Sequence, residues 1–246
     1  MTKNQENQKD LQAQQQVVRM VPNPDFVYCP PMSPYLNIIY KDNDIVVLNK
    51  QSGLLTVSGR LPAHKDCLQS RVNKVLPTAT VVHRLDMATS GILIMALHKP
   101  AHIAISRMFQ QRETKKRYIA RVYGHMKDDN GSVDQPLICD WPNRPRQMVD
   151  HERGKQSLTH YKVLSRDIDE NSVPSTLVEL TPITGRSHQL RVHMLFLGHP
   201  ILGDRLYSHE VAVRASSRLL LHAQMLELAH PIKEEMLSFN VSCPFV

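Results

Sequence analysis

The sequence predicts an α+β fold, with a single domain built around a largely antiparallel or mixed sheet and flanking helices. Segments of strand character dominate the chain, and many of them are joined by short turns. Only a few segments show helical spacing of apolar residues, and no strand–helix–strand rhythm runs through the sequence. The chain has 246 residues, of which 41% are hydrophobic and 22% charged, so it is long enough and apolar enough to bury a substantial core.

The first 35 residues differ in composition from the rest of the chain. Six glutamines occur in the first sixteen residues, and five prolines follow between Pro22 and Pro34. Prolines at this density oppose regular secondary structure. Residues 1–35 are therefore expected to form a flexible extension or a strap on the domain, and residues 36–246 are expected to form the domain itself.

The first half of the domain begins with a predicted hairpin. Strand-like segments at 38–40 and 44–49 flank the turn 41–43. Asp66 is a candidate N-cap for a short helix that Pro77 ends.

The second half of the domain is predicted to begin with one buried strand and a helix, followed by further strands and a second helix. The apolar run from Ile92 predicts a core strand, and Pro100 is expected to open a helix with Ile105 and Met108 on one face. A second helix is expected near 186–197. Further strands are expected near 116–123, 157–165, 174–181, 218–222 and 225–229.

Charge and cysteine usage limit the class of protein. The 30 Lys and Arg residues outnumber 23 Asp and Glu residues, and the net charge of +7 permits a polyanionic partner. The four cysteines are scattered, which is typical of a reduced cytoplasmic protein. No apolar run is long enough to span a membrane, and no oligomerisation signal is visible, so a monomer is expected.

One short segment places a carboxylate between two strands. Asp86 follows Val81-Val82 and precedes the run from Ile92, with a Ser-Gly turn signal before that run. A connection that a sheet holds rigidly is a suitable position for a reactive group. Carboxylates attack electrophilic carbons such as the anomeric carbon of sugars, so Asp86 is the leading candidate for a nucleophile. The alternative is a structural aspartate that caps backbone N–H groups of the turn.

Cationic side chains in two segments are candidates for RNA binding. Arg84 could contact a phosphate or fill a gap in a nucleic-acid stack, and the alternative is a surface ion pair. Lys115, Lys116 and Arg117 form a basic run whose alternative interpretation is a solvated face. Tyr118 is expected to face away from Arg117 and to stack on a base, with structural packing as its alternative.

Arginines in two turn-like segments complete the candidate site. Arg186 is expected in the first turn of a helix, where it could hold an anion or pair with Asp86. The alternative is an amphipathic helix with charges facing solvent. The proline-stiffened segment with Trp141 carries Arg144 and Arg146 and is a candidate RNA-contacting loop, with Trp141 as a packed anchor in the alternative interpretation.

The sequence gives no pattern for a metal or a nucleotide cofactor. Among thirteen histidines, His188 and His193 are five residues apart, which is poor spacing for one metal ion. Neither the H-E-x-x-H motif nor the zinc-deaminase motif is present. We therefore expect neither a cofactor nor a metal.

Several motifs in order resemble the RluA family of pseudouridine synthases. The resemblance covers roughly residues 36–245, and Gln51 departs from it where a proline is usual. The motifs are Asn49-Lys50-x-x-Gly53-Leu54, His83-Arg84-Leu85-Asp86-x-x-Thr89-Ser90-Gly91, Lys116-x-Tyr118, Gly185-Arg186-x-His188-Gln189-Leu190-Arg191-x-His193, His199-Pro200-Ile201-Leu202-Gly203-Asp204 and Leu219-Leu220-Leu221-His222-Ala223.

The resemblance implies a pseudouridine synthase fold and a cofactor-free isomerisation of uridine in RNA. Asp86 would attack C1′ or C6, or assist loss of the base as a glycal forms, and these routes stay open. Tyr118 would stack on the target uracil, Arg186 would pair with Asp86, and Arg84 would fill the space of the flipped nucleotide.

Substrate and domain content also follow from the resemblance. Segments 57–60 and 138–145 resemble the branch of the family that acts on 23S rRNA and on the tRNA anticodon stem-loop. The chain is expected to lack the N-terminal S4 domain of many relatives. Two other classes stay open, a non-catalytic RNA-binding module of the same fold and a nucleoside or glycoside hydrolase.

Overall fold

The structure is a computed structural model that describes residues 27–168 and 173–246. Within these ranges ten strands form one mixed sheet and two more form a small hairpin. The strands are β1 (Ile38–Lys41), β2 (Ile45–Lys50), β3 (Thr80–Val81), β4 (Ser90–Ala96), β5 (Lys115–Tyr123), β6 (Asn130–Asp134), β7 (Leu137–Cys139), β8 (Gln147–Val149), β9 (Leu158–Ile168), β10 (Pro174–Pro182), β11 (Leu221–Ala229) and β12 (Met236–Asn240). The α-helices are α1 (Leu68–Asn73), α2 (Lys99–Gln111), α3 (Gln189–Phe196) and α4 (Glu210–Arg214), and short 3₁₀ helices span Pro62–Lys65 and Trp141–Asn143.

The strand order of the sheet brings distant parts of the chain together. The strands run in the order β1, β2, β4, β11, β5, β10, β9 and β6, while β12 pairs with β11 and β3 pairs with β4. The pair β4–β11 is parallel, and the other pairs within the described residues are antiparallel. This arrangement confirms the predicted α+β fold with a largely antiparallel or mixed sheet. It also places β4 and β5, which carry or adjoin the candidate site residues, on either side of β11.

Gly91 makes the close approach of β4 and β11 possible. Its φ is +112°, and a Cβ atom built on it would lie 2.2 Å from the carbonyl oxygen of Ala223. Because no side chain fits there, glycine is required where the two parallel strands meet. The glycine that follows Ser90 is therefore a requirement of the sheet.

Strand β4 is buried along its whole length, as its apolar run predicts. On one face, Leu93 and Met95 pack in a cluster that includes residues of α1. On the opposite face, Ile92 and Ile94 pack in a cluster that includes residues of α2. Close packing on both faces fixes the strand and the loop that leads into it.

The helices of the first half agree with the sequence in position but not in every cap. Helix α2 has a proline in its first turn as predicted, and its 13 residues make it the longest helix of the described residues. No helix among all the described residues has the length and apolar character to cross a bilayer. The N-cap of α1 is Cys67, whereas the predicted cap, Asp66, binds the guanidinium of Arg71 at 2.7 and 2.8 Å.

The later strands differ from the prediction in number and extent. The strands predicted at 218–222 and 225–229 are one strand, β11, whose pairing with β5 is irregular between Ala223 and Met225. Strands β6, β7, β8 and β12 were not predicted. Two of them, β7 and β8, are only three residues long, too short to show a periodic pattern.

Residues 27–35 form a strap on the domain. The side chain of Tyr28 is buried, and its hydroxyl donates a 2.7 Å hydrogen bond to a backbone carbonyl. Arg71 donates to the carbonyl of Pro31 at 2.8 Å. These contacts hold residues 27–35 against the domain, and residues 1–26 of the predicted extension lie outside the described residues.

Candidate active site

A buried lysine holds the loop on which Asp86 lies, between β3 and β4. Lys50, the last residue of β2, is fully buried. Its ammonium donates to the carbonyls of Gln51, Leu54 and Met87 at 2.8, 2.7 and 3.0 Å. Burial lowers the pKa of Lys50 to about 7, against the opposing effect of the Asp86 charge. This lysine therefore ties the end of β2 to the Asp86 loop.

The segment after β2 adds further hydrogen bonds to the same loop. The hydroxyl of Ser52 donates to the carbonyl of Ala88 at 2.7 Å. The hydroxyl of Thr56 donates to the carbonyl of Leu85 at 2.7 Å. Because hydrogen bonds hold the backbone on both sides of Asp86, at Leu85, Met87 and Ala88, the loop is a rigid mount for a reactive group.

Arg191, on α3, is the counter-ion of Asp86. Its Nη1 donates to Oδ2 of Asp86 at 3.2 Å. Its Nε and Nη2 each donate to a carboxylate oxygen of Asp204 at 2.7 Å. The side chains of Arg191 and Asp204 are 6% and 0% exposed, whereas that of Asp86 is 29% exposed. The bidentate pair with Asp204 thus fixes the guanidinium that holds the more accessible carboxylate.

Two carboxylates favour the charged form of the Arg191 guanidinium. Burial alone would lower the pKa of Arg191, but Asp204 and Asp86 raise it above its ordinary value. The guanidinium therefore remains charged, and it would stay partly compensated if either carboxylate were neutralised.

The predicted pairing of Arg186 with Asp86 is wrong. Arg186 is exposed, and its Nε donates to the carbonyl of Gln156 at 3.1 Å. The counter-ion role that the sequence assigned to Arg186 belongs to Arg191, and a role of Arg186 in catalysis stays a prediction.

The spacing of Arg191 and Met194 along the predicted helix could have identified Arg191 as a site residue. The helix predicted near 186–197 begins only at Gln189, after a turn that ends with His188 in the left-handed region at φ +54°. Residues three apart share a helix face, so Arg191 lies beside Met194, which the sequence predicts to be buried. A charged residue at a buried helical position requires a fixed partner, and Asp204 supplies it.

Asp86 and Tyr118 line one cleft of about 770 Å³. This volume lies within the range of about 300–1,000 Å³ that is typical of ligand sites. Burial raises the pKa of Tyr118, and the charge of Asp86 raises it further, so the phenol is protonated at neutral pH. A protonated phenol can donate a hydrogen bond or present its ring to a base, but it is not a ready general base.

The other charged residues of the cleft are cations. Asp86 is the one carboxylate that lines the cleft within residues 27–168 and 173–246. The cationic side chains that line it are Arg84, Arg112, Lys116, Arg186 and Arg191. Such a lining favours a polyanionic ligand whose reacting group reaches Asp86.

His83 has a structural role next to the cleft. Burial and, to a lesser extent, the charge of Lys116 lower the pKa of His83 to about 3, so its imidazole is neutral. Its Nε2 accepts the N–H of Ile94 at 3.1 Å, and its ring stacks on Phe109 at 4.5 Å. These contacts connect His83, which lies three residues before Asp86, to both β4 and α2.

Strand alternation divides the predicted basic run between the two faces of the sheet. Lys116 lines the cleft, whereas Lys115 and Arg117 point to the opposite face. Lys115 lies 2.6 Å from Glu227, and Arg117 lies 3.4 Å from Glu179. Of the three candidate RNA-binding cations, only Lys116 therefore lines the cleft.

The Trp141 loop is connected to the cleft through a tyrosine. Trp141 is 65% exposed, so its packed-anchor interpretation is wrong, and the guanidinium of Arg144 stacks over its ring at 4.2 Å. The guanidinium of Arg146 lies 5.4 Å from the ring of Tyr207. The N–H of Gln147 donates to the Tyr207 hydroxyl at 2.7 Å. RNA binding by Arg144 and Arg146 stays a prediction.

One group of side chains in the described part of the chain has the spacing of a metal site, namely Asp42, Asp44 and His230. Nδ1 of His230 accepts the N–H groups of Ile232 and Lys233 at 3.2 and 3.0 Å. Its proton therefore lies on Nε2, which donates to Asp42 at 2.9 Å. These hydrogen bonds occupy both ring nitrogens of His230. The three side chains therefore form a polar network around a buried imidazole, which accounts for their spacing.

Comparison with known proteins gives a family match and similar sequences. The family described as RNA pseudouridylate synthase matches residues 44–196. A protein of Salmonella typhimurium named dual-specificity RNA pseudouridine synthase RluA is 52% identical over 218 residues, which cover 89% of this chain and 98% of the relative. A protein of Yersinia pestis with the same name is 57% identical over 194 residues, which cover 79% of this chain and 92% of the relative.

Solved structures agree with these matches. Human RNA pseudouridylate synthase domain containing 1 is similar with a TM-score of 0.73 at 30% identity, covering 86% of this chain and 84% of that one. Human RNA pseudouridylate synthase domain containing 4 has a TM-score of 0.67 at 27% identity, covering 85% and 89%. The predicted pseudouridine synthase fold is thus confirmed. The chain belongs to the RluA-type family of RNA pseudouridine synthases, isomerases that act on uridines in RNA.

Proposed function

We propose that this RNA pseudouridine synthase has two substrates, a uridine of 23S rRNA and a uridine of the tRNA anticodon stem-loop. The name dual-specificity of relatives at 52% and 57% identity supports two substrate classes. The resemblance of segments 57–60 and 138–145 to that branch of the family supports these two RNAs in particular.

One observation carries the chemistry, the single carboxylate of Asp86 held by Arg191 in a cleft that cations otherwise line. Pseudouridine formation breaks the N1–C1′ bond of uridine and joins C1′ to C5, while C5 loses a proton and N1 gains one. The reaction is redox-neutral. Asp86 starts it by attack on C1′ or C6, or by assisting loss of the base, and each route uses a carboxylate in a fixed position.

The target base must leave its stack to reach Asp86. The ring of Tyr118 lines the cleft and gives the extruded uracil a surface for stacking. The guanidinium of Arg84 is exposed at the same cleft, where it can occupy the space that the nucleotide leaves.

The two alternative functions have less support. Glycoside hydrolases normally use a second carboxylate as acid or base. Within the described residues, the other carboxylate that Arg191 binds, Asp204, is fully buried and has both oxygens in hydrogen bonds with Arg191. A non-catalytic binding module would have no need of the Asp86–Arg191 pair.

Acidic partners distinguish the cations that face the cleft from those that do not. Within the described residues, Arg84, Arg112 and Lys116 have no carboxylate within ion-pair distance, whereas Lys115 and Arg117 each have one. Unpaired cations that face a cleft are available to phosphates. We infer that the RNA backbone passes along the cleft-facing side of β5.

Adjacent lysines of β5 form a matched test of this path. Lys116→Ala is expected to weaken RNA binding and to reduce the slope of log Kd against log salt by about 0.7–1, the value for one phosphate contact. Lys115→Ala removes the same charge from the opposite face and is expected to leave both quantities unchanged. Filter binding at several salt concentrations measures them, and equal effects of the two variants would contradict the proposed path.

The proposed function is tested with purified protein and two unmodified RNAs, a 23S rRNA transcript and an anticodon stem-loop. Pseudouridine is expected at one uridine of each RNA after digestion and mass spectrometry of a pseudouridine-specific adduct. Modification of only one RNA would contradict dual specificity. Free uracil as the product would favour a hydrolase, and tight binding without product would favour a binding module.

We also propose that the enzyme acts as a cytoplasmic monomer. Four cysteines without disulfide partners accord with a reducing compartment. The proposed rRNA and tRNA substrates accord with the same location.

A further inference from the structure

His188 lies between the Asp86 carboxylate and a buried tyrosine. Its Nε2 is 3.8 Å from Oδ2 of Asp86, and its Nδ1 is 2.6 Å from the hydroxyl of Tyr207. The His188 side chain lines the cleft and is 12% exposed. It is therefore near the reacting group, yet neither the predicted site nor the chemistry described above uses it.

The hydrogen bonds determine which nitrogen of His188 carries the proton. The Tyr207 oxygen accepts the N–H of Gln147 at 2.7 Å. Burial raises the pKa of Tyr207, so its hydroxyl keeps a proton to donate. Among the described residues, the acceptor in position for that proton is Nδ1 of His188. The proton of His188 then lies on Nε2, the nitrogen that faces Asp86.

The imidazole of His188 is neutral at neutral pH. Burial lowers the pKa of His188, and the opposing effect of Asp86 does not overcome it. His188 can thus act as a hydrogen-bond donor without adding a second positive charge beside Arg191.

Two donors approach the same oxygen of Asp86. Nη1 of Arg191 lies 3.2 Å from Oδ2, and Nε2 of His188 lies 3.8 Å from it. In the described part of the chain, Oδ1 of Asp86 has no hydrogen-bond donor. A separation of 3.8 Å is too long for a hydrogen bond, but such bonds often tighten when substrate fills an active site.

We propose that His188 is a positioning residue, which binds Oδ2 of Asp86 through Nε2–H and so leaves Oδ1 to attack the nucleoside. The inference rests on the proposed isomerase activity. Through the Tyr207 hydroxyl, the imidazole is also linked to the N–H of Gln147, the first residue of β8.

The left-handed backbone of His188 allows a sharp test with two amides. His188→Gln places an amide nitrogen near the position of Nε2 and keeps a donor toward Asp86. His188→Asn places its amide near Nδ1 and keeps only the contact toward Tyr207. Asn tolerates a φ of +54° better than Gln does, so fold stability favours the Asn variant, whereas the proposed hydrogen bond favours the Gln variant.

Single-turnover rates of pseudouridine formation at saturating RNA separate the two roles. We expect His188→Asn to lower the rate constant by about tenfold or more, because it removes a donor placed for the reacting group. His188→Gln is expected to stay within about threefold of the wild type. RNA dissociation constants of both variants should change by less than about twofold, since the lost contact acts on Asp86.

The outcomes distinguish the positioning role from the activity itself. An active wild type with the rate order Gln above Asn, against a thermal stability order of Asn above Gln, supports the role. If the wild type is active and Asn equals or exceeds Gln in rate, the positioning role is wrong while the proposed function stands. If the wild type forms no pseudouridine on either RNA, the proposed function fails and the inference fails with it.

Discussion

Asp86→Asn is expected to abolish pseudouridine formation and to leave RNA binding intact. The amide has nearly the same shape as the carboxylate but is neither a nucleophile nor a base. Loss of such a group typically lowers a rate constant by about 10⁴-fold or more. Release of tritium into water from RNA labelled at uridine C5 measures this loss, because C5 gives up its hydrogen only when the new bond forms.

The fold is expected to survive this substitution. Asp204 still compensates the buried charge of Arg191, so the free energy of unfolding should fall by no more than about 1 kcal/mol. The RNA dissociation constant should stay within about twofold of the wild type. Substantial tritium release by a folded Asp86→Asn protein would remove this residue from the reaction.

Arg191→Met is expected to reduce both stability and activity. It leaves the fully buried carboxylate of Asp204 without a counter-ion, which typically costs about 3–5 kcal/mol in the free energy of unfolding. It also releases the carboxylate of Asp86, and loss of such a fixed electrostatic contact typically costs about 100-fold or more in rate. Urea unfolding and tritium release measure the two effects separately.

A double variant distinguishes the effect on the site from the effect on the fold. Asp204→Asn combined with Arg191→Met removes the buried charge and keeps an oxygen for the N–H groups of Leu206 and Tyr207. Most of the lost stability is expected to return, while the low activity persists. Recovery of activity together with stability would mean that Arg191 matters only for folding.

Arg186→Ala is the matched control in the same cleft. Its side chain is exposed and has no ion pair with Asp86, so the free energy of unfolding should change by less than about 0.5 kcal/mol. A contribution to phosphate binding would appear in RNA affinity. A larger loss of single-turnover rate than in the Arg191 variants would restore Arg186 to the centre of the site.

Local patterns in the sequence predicted the elements that tertiary packing does not alter. The hairpin of β1 and β2, the buried strand β4 and the proline-initiated helix α2 follow from apolar periodicity and turn residues. The three-residue strands β7 and β8 carry no such pattern, because so few residues cannot show a period. The left-handed conformation of His188 also escaped prediction, since histidine adopts it only where the surrounding structure requires it.

The candidate site was also predicted only where residues close in sequence identify it. Asp86 is identified by residues within a few positions of it, and Tyr118 follows from strand alternation within β5. The same alternation puts Lys115 and Arg117 on the opposite face, but it does not reveal that they pair with Glu227 and Glu179, because these acidic partners lie on other strands. The order of strands in the sheet, which the sequence did not reveal, decides which charges meet.

The sequence by itself determined the fold class, the family resemblance and the position of the carboxylate, because each depends on short runs of neighbouring residues. Only the tertiary structure decided which arginine serves that carboxylate. Asp86 and Arg191 are 105 residues apart, and they meet because the strand order β4, β11, β5 and β10 brings the loop before β4 and the helix after β10 to one cleft. An ion pair of this kind depends on positions in space to within an ångström, which composition and spacing along the chain do not encode.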